Sequence, residues 1–470
     1  MTRKSVVFLA TLRSHHVCAS EAMQGNTESS NCMTREAYAE PINMLGVLQI
    51  LIRALLLAGL ITLGRSAQAE VNASVESVTL EAAMADFAVA VDDARRTIEQ
   101  HPYYRDDAER VAGTSYLFAM LLRRIEVQIQ QDPDFPMFSS VDYRVREGGD
   151  NPDQHYQSAT VRGGATYRIW GRRGTVRRLD FQIYAGAPYL PGGGRAVSAL
   201  SSEDLRVDSE GRFEVTLSLD RAVGNWLPTS SDTTAVLVRQ TFGDWNREIP
   251  AEVHIDRVGY EGAIRPTLTS EAQTERVRRA AASLRATVAN WPEFVRRGYV
   301  DRASANTLTP PVDTSAQGGL PGRWYSSGWW QLEDDEALIL TAWPMPGNYQ
   351  GIQLTDLWFS SLEYANRQTS LNGDQTDRSP DGVYRIVIAA RDPGVANWLD
   401  TTGLRRGVIM LRFDGMGQQP FPADKYPTLE KVKFADLSIH LPTGTPRFSA
   451  EQRTKTLRER RTAIQKRYGR

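Results

Sequence analysis

Four short segments of this 470-residue chain recur in the same order at a nearly constant offset, and that recurrence limits the possible folds most. Phe181-Gln-Ile183 matches Ile352-Gln-Leu354, and Glu210-Gly-Arg-Phe213 matches Asp381-Gly-Val-Tyr384. Asn225-Trp-Leu227 matches Asn397-Trp-Leu399, and Val238-Arg239 through Phe242 matches Leu411-Arg412-Phe413. These segments sit in short runs of strand-like alternation separated by Gly-rich turns, among them Arg178–Tyr184, Gly211–Leu219, Glu336–Thr341, Val383–Ile388 and Gly407–Phe413. The pattern predicts a mainly β protein: a tandem duplication of one antiparallel β-sandwich or jelly-roll unit, over 143–265 and 324–446.

Helices are expected around the two units. Over 70–142, Leu80, Met84, Phe87, Val91 and Ile98 form one apolar stripe. Ala108, Val111, Ser115, Phe118, Leu122, Ile125 and Ile129 form a second, and both are expected to pack on a sheet. A polar helix and loop over 266–323 links the units. The tail 447–470 carries nine basic and two acidic residues with a narrow stripe of Leu457, Ile464 and Tyr468. It reads as a solvated helix resting on the body, with weak contact to an anionic membrane surface as the alternative.

The start of the chain bears on compartment. The apolar run Ala54–Leu63 ends in Ala67-Gln68-Ala69, so 44–69 reads as a cleaved signal peptide and 1–43 as a mis-annotated upstream extension. An uncleaved anchor is the alternative, since Met44–Leu63 is close to the ~20 residues that span a bilayer. Cleavage implies a periplasmic or secreted protein. Both cysteines, Cys18 and Cys32, precede the cleavage site, which leaves thiol chemistry no support in the mature chain. A formal net charge of −1 argues against nucleic acid as a partner. No metal or cofactor is expected: His101, His155, His254 and His440 lack ligand spacing, and Asp374, Asp377 and Asp381 read as an acidic hairpin turn rather than a calcium loop.

The stretch Gly347–Phe413 is densest in aromatics, carboxylates, amides and arginines, and it departs most from its first-copy counterpart. Asp356, Trp358, Glu363, Tyr364, Arg367 and Asn372 have no match after Tyr184, where the first copy runs through Gly192-Gly193-Gly194. If Tyr349–Trp358 is one strand, Asp356 shares a face with Ile352, Leu354 and Trp358. Burying a lone charge is costly, so Asp356 either pairs structurally with Arg412 or joins a ligand-facing cluster with Glu363, Arg367 and Asp400. Asp356 and Glu363 are the candidate general acid or base. Trp358, Tyr364, Arg367, Asn372, Asp400 and Arg412 are the candidate ligand contacts.

Several of these segments carry a resemblance. Gly149-Asp-Asn-Pro-Asp153 with Tyr156, Tyr167-Arg-Ile with Gly171, Trp358-Phe-Ser-Ser-Leu-Glu-Tyr364, Arg367-Gln-Thr-Ser-Leu-Asn372 and Asp392-Pro-Gly-Val-Ala-Asn-Trp-Leu399 are similar to bacterial proteins of the domain-of-unknown-function family numbered 1214, often met with family 1254. The resemblance implies a jelly-roll-like architecture with helical additions and transfers no catalytic residue. Three functions are open: binding of a glycan or small amphipathic molecule in the second sandwich, carboxylate-based hydrolysis or lysis of carbohydrate, and a structural role in the cell envelope.

Overall fold

The computed structural model describes residues 78–187, 193–314, 322–417 and 419–469. The expected signal peptide, 44–69, and both cysteines lie outside these. Nine strands make the first half: β1 (Ser139–Val141), β2 (Gln154–Thr160), β3 (Tyr167–Arg172), β4 (Arg178–Ala185), β5 (Arg195–Leu200), β6 (Arg212–Ser218), β7 (Asn225–Pro228), β8 (Thr233–Thr241) and β9 (Glu252–Arg257). Nine more make the second: β10 (Val312–Asp313), β11 (Trp324–Gln331), β12 (Glu336–Ala342), β13 (Tyr349–Thr355), β14 (Ser370–Asn372), β15 (Tyr384–Ala389), β16 (Trp398–Asp400), β17 (Arg406–Asp414) and β18 (Thr428–Lys433).

The sheet orders repeat strand for strand. A five-stranded sheet β1-β2-β8-β4-β5 and a four-stranded sheet β7-β6-β3-β9 recur as β10-β11-β17-β13-β14 and β16-β15-β12-β18. In each half the two sheets close on a shared core, Phe181, Val215, Leu217 and Val238 in one and Leu340, Leu354, Ile388 and Ile409 in the other. The matched Asn-Trp-Leu tripeptides hold one structural position. β7 pairs with β6 and β16 with β15, the two parallel pairings among otherwise antiparallel ones in the described residues.

The asparagine explains why this residue is repeated. Asn225 Nδ2 donates to the carbonyls of Arg206 and Glu214 while its Oδ1 accepts from Arg206 N–H. Asn397 does the same with Asp377 and Arg385. A side-chain amide carries both donors and acceptor, so it can stitch a short edge strand that has little ladder of its own. Likewise Arg239 Nη1 donates to Gln182 Oε1, and Arg412 Nη1 to Gln353 Oε1.

Helices α1 (Leu80–Glu99), α2 (Asp107–Ile125) and α3 (Ser270–Val295) pack together over the outer face of the second five-stranded sheet. Their buried faces differ from the expected stripes. On α1 the alanines Ala83, Ala90 and Ala94 are buried with Ile98, whereas Met84 is 56% exposed. Small side chains let α1 lie close along α3, where Arg285 pairs with Asp86 and Asp93. On α2 the buried residues are Glu109, Gly113, Tyr116, Leu117, Met120 and Arg123. Gly113 is chosen because the Trp358 ring lies against it: a Cβ there would meet the ring at 2.7 Å. Buried Glu109 is compensated by Arg406, at 2.5 Å. Val111, Phe118 and Leu122 therefore turn outwards, 67%, 63% and 50% exposed.

After the short helix α4 (Leu437–His440), the terminal helix α5 (Ala450–Tyr468) docks through arginines rather than through Leu457. Arg453, Arg460 and Arg467, seven residues apart, are all buried. Their guanidinium groups lie over Trp398, Trp245 and Phe242 at 5.0, 4.5 and 4.3 Å. Arg467 donates to Pro152 O, and Arg460 to Tyr364 O and Ser370 O. The outward basic residues are Lys455, Arg458, Arg461 and Lys466.

Candidate functional site

The strand β13 stops at Thr355, so Asp356 and Trp358 do not continue its alternation as expected. Asp356 instead closes a turn on itself: its Oδ1 accepts from Trp358 N–H and Ser360 N–H, both at 2.9 Å. Asp356 N–H donates to Ser360 O at 3.0 Å, and Phe359 takes a left-handed φ of 66°. The turn throws Leu357, Trp358 and Phe359 into the helical layer.

The Gly149–Asp153 segment braces this turn from the other half of the chain. Asp150 accepts from Ser361 N–H at 3.0 Å and Ser361 Oγ–H at 2.7 Å. Gly149 N–H donates to Phe359 O at 2.7 Å. Arg412 donates to Gly149 O, to Gln353 Oε1 and to the Tyr325 hydroxyl. The expected Asp356–Arg412 ion pair is therefore not formed. Backbone and amide acceptors satisfy the arginine, and Asp356 Oδ2 has no hydrogen-bond partner among the described residues.

A cavity of about 420 Å³ opens between α2 and this turn. Asp107, Ala108, Val111, Ala112, Ser115, Tyr116 and Ala119 form the helical wall, and Arg144, Arg146, Asp356, Ser360, Leu362, Glu363, Thr402 and Leu404 stand opposite. Burial pushes the Asp356 carboxyl up to about 7, against the pull of two backbone N–H groups and Arg146, with Asp150 adding to the rise. Asp150 is pushed up to about 6 by the same cause. Glu363 is held differently: its carboxylate accepts from Ala365 N–H at 2.9 Å and Asn366 N–H at 3.1 Å, folding it over its own loop. Arg146 is half-buried, donates from Nη1 to Ser361 O at 2.7 Å, and has no carboxylate at ion-pair distance among the described residues.

Of the candidate residues, Asp356 and Glu363 share this cavity. Trp358 does not line it: the ring is 1% exposed, stacked on Tyr116 at 5.9 Å, with Nε1 donating to Glu109 O. Tyr364 is packed into the first sandwich's core beside Ala463 and Ile464. Asn372 is buried and donates to Asp153 Oδ1 and Gly243 O, and Arg412 is buried as described. Arg367 and Asp400 form a pair at 2.8 Å that reaches the cavity only through Thr402, whose N–H donates to Asp400 Oδ1. Sequence reasoning missed Arg144, Arg146 and the α2 wall. The available signal was Arg144-Val145-Arg146, three residues ahead of the Gly149–Asp153 motif, with Val145 buried between two arginines. Among the described residues no group of three or more His, Cys, Asp or Glu side chains could hold a metal ion.

The fold is shared with a solved protein. A crystal structure of an uncharacterised protein from Burkholderia cenocepacia is 32% identical, with a TM-score of 0.69 over 75% of this chain and 97% of that one. The chain belongs to the family of that Burkholderia protein. A protein from Vibrio parahaemolyticus is 13% identical, with a TM-score of 0.39 over 73% of this chain and 100% of that one. No family model and no curated protein matches the chain. The Burkholderia relative is itself uncharacterised, and a shared fold does not fix a function.

Proposed function

We propose that this family member is an exported protein, periplasmic or secreted, that binds a small amphipathic molecule in the cavity between α2 and the Asp356 turn. The observation that carries the reading is the cavity's composition: a helical wall that is mostly apolar between Asp107 and Ala119 faces Arg146 and a carboxyl with one oxygen unpartnered. A perturbed carboxyl in a cleft is also where function tends to concentrate. A glycan is the weaker choice, because no tryptophan lines the cavity to stack on a sugar. The family is proposed to be the domain-of-unknown-function family numbered 1214, on the segments that resemble it.

A thermal-shift screen of purified protein against small amphiphiles and oligosaccharides tests the reading. Amphiphiles are expected to raise the melting temperature of the parent but not of Ser115→Trp, which places a bulky ring at the cavity wall. Stabilisation by oligosaccharides alone, or equal stabilisation of both proteins, would be against it. Export rests on the Ala67-Gln68-Ala69 exit; mass spectrometry of the mature N-terminus is expected to find Glu70 first, and an intact Met44 would refute cleavage.

A second reading has its own observation. Asp356 and Glu363 line one cavity in unlike settings, one carboxyl pushed towards neutrality and one fixed by backbone N–H groups. A carboxyl pushed towards neutrality is what a general acid requires in hydrolase or lyase chemistry, and Glu363 supplies a second carboxyl on the same cavity. Turnover of a bound ligand that vanishes in Asp356→Asn, with binding retained, would select it.

A further inference from the structure

We propose that the amphiphile is a long-chain carboxylate, its head held by Arg146 and its alkyl chain laid along the outward stripe of α2. This rests on the reading of the cavity as the ligand site and adds the chemistry of its occupant.

The head follows from the charges around the cavity. Arg146 spends one N–H group on Ser361 O and keeps the rest of its planar fork, the geometry that matches a carboxylate. Arg144 stands beside it, its own guanidinium held by Asp142 at 2.5 Å. Glu363 is turned towards Ala365 and Asn366, so its charge is partly spent inside its loop. Asp356 completes the head site, because burial keeps it protonated in mildly acidic solution and a protonated carboxyl donates to an anion. The remaining carboxylate on the lining, Asp107, stands at the start of α2 with Arg110 at 3.8 Å, so Arg146 is the arginine of the lining with no opposite charge at ion-pair distance among the described residues.

The tail follows from the helix. Ala108, Val111, Ala112, Ser115 and Ala119 share one face of α2 and line the cavity, and Phe118 and Leu122 continue that face beyond it. At ~1.5 Å per residue the stripe from Ala108 to Leu122 is about 21 Å long. The opposite face, with Gly113, Tyr116, Leu117 and Met120, already supplies the packing into the core. Single exposed apolar residues are ordinary, but Val111, Phe118 and Leu122 form a run that ends at a buried polar head site.

Calorimetry of the purified full chain at mildly acidic pH, with each probe below its micellar concentration, tests this. Laurate is expected to bind at least about tenfold tighter than dodecanol, and dodecyltrimethylammonium not at all. Arg146→Met is expected to remove the preference for laurate, so that laurate binds no tighter than dodecanol, and Val111→Glu, at an exposed site, to weaken both. If Arg146→Met does not fold, Arg146→Lys keeps the charge, loses the fork, and is expected to give an intermediate affinity for laurate. Dodecanol binding as tightly as laurate would overturn the carboxylate and leave the amphiphile reading standing. Failure of all three probes to bind would overturn both.

Discussion

Trp358→Ala is expected to lower unfolding free energy by about 3–5 kcal/mol, the usual cost of emptying a large aromatic site in a packed core. The ring lies at the junction of α2 with the second sandwich. Tyr116 stacks on it with planes 21° apart, and Tyr103 meets it edge-on at 6.2 Å. Gly113 has no side chain to fill the space that the ring would vacate. Losing the indole also removes the 3.3 Å hydrogen bond from Nε1 to the Glu109 carbonyl. Urea unfolding with an unchanged slope checks the effect. A variant that unfolds at the parent's midpoint but loses ligand would instead restore Trp358 as a binding residue.

Asp356→Asn is expected to act in the opposite direction, and in a pH-dependent way. The carboxyl is raised from 3.8 to about 7 in the folded protein, so between those values the folded state binds more protons than the unfolded one. Its stability contribution is thus fully present below 3.8 and is lost as pH rises through about 7. The ionised group then sits desolvated near Asp150, with Arg146 as the nearest opposing charge and Arg144, Glu363 and Asp107 also around the cavity. Asparagine keeps Oδ1 as acceptor for Trp358 and Ser360 N–H and carries no charge. It is therefore expected to be more stable than the parent at about pH 8, by at most about 4 kcal/mol, with the difference vanishing near pH 4. Urea midpoints across that range decide it. A variant less stable than the parent at every pH would show that the ionised carboxylate is structural.

The same two residues show how far sequence carried. The carboxylate among apolar neighbours marked Asp356, because an unpaired buried charge needs a reason. Its surroundings could not be read, since Gly149 O, 263 residues before Arg412, takes the arginine expected to pair with it. The duplication was legible in Asn225 and Asn397 because their hydrogen bonds demand that side chain and no other. Helix faces were misread where size outweighed hydrophobicity: a tryptophan ring selected Gly113 for burial and left Phe118 in solvent. In the tail, charge hid packing. Arg453, Arg460 and Arg467 fall on one helical face at seven-residue spacing, and aromatic rings of both sandwiches wait beneath them.

Export aside, the functional proposal depends on one place in the molecule. Crystallising the protein with the amphiphile that most raises its melting temperature is the most direct measurement. Density for the ligand is expected between α2 and the Asp356 turn, with its head within hydrogen-bonding distance of Arg146 and Asp356 and its chain against Val111 and Ala112. Density elsewhere, with that cavity holding only solvent, would contradict it.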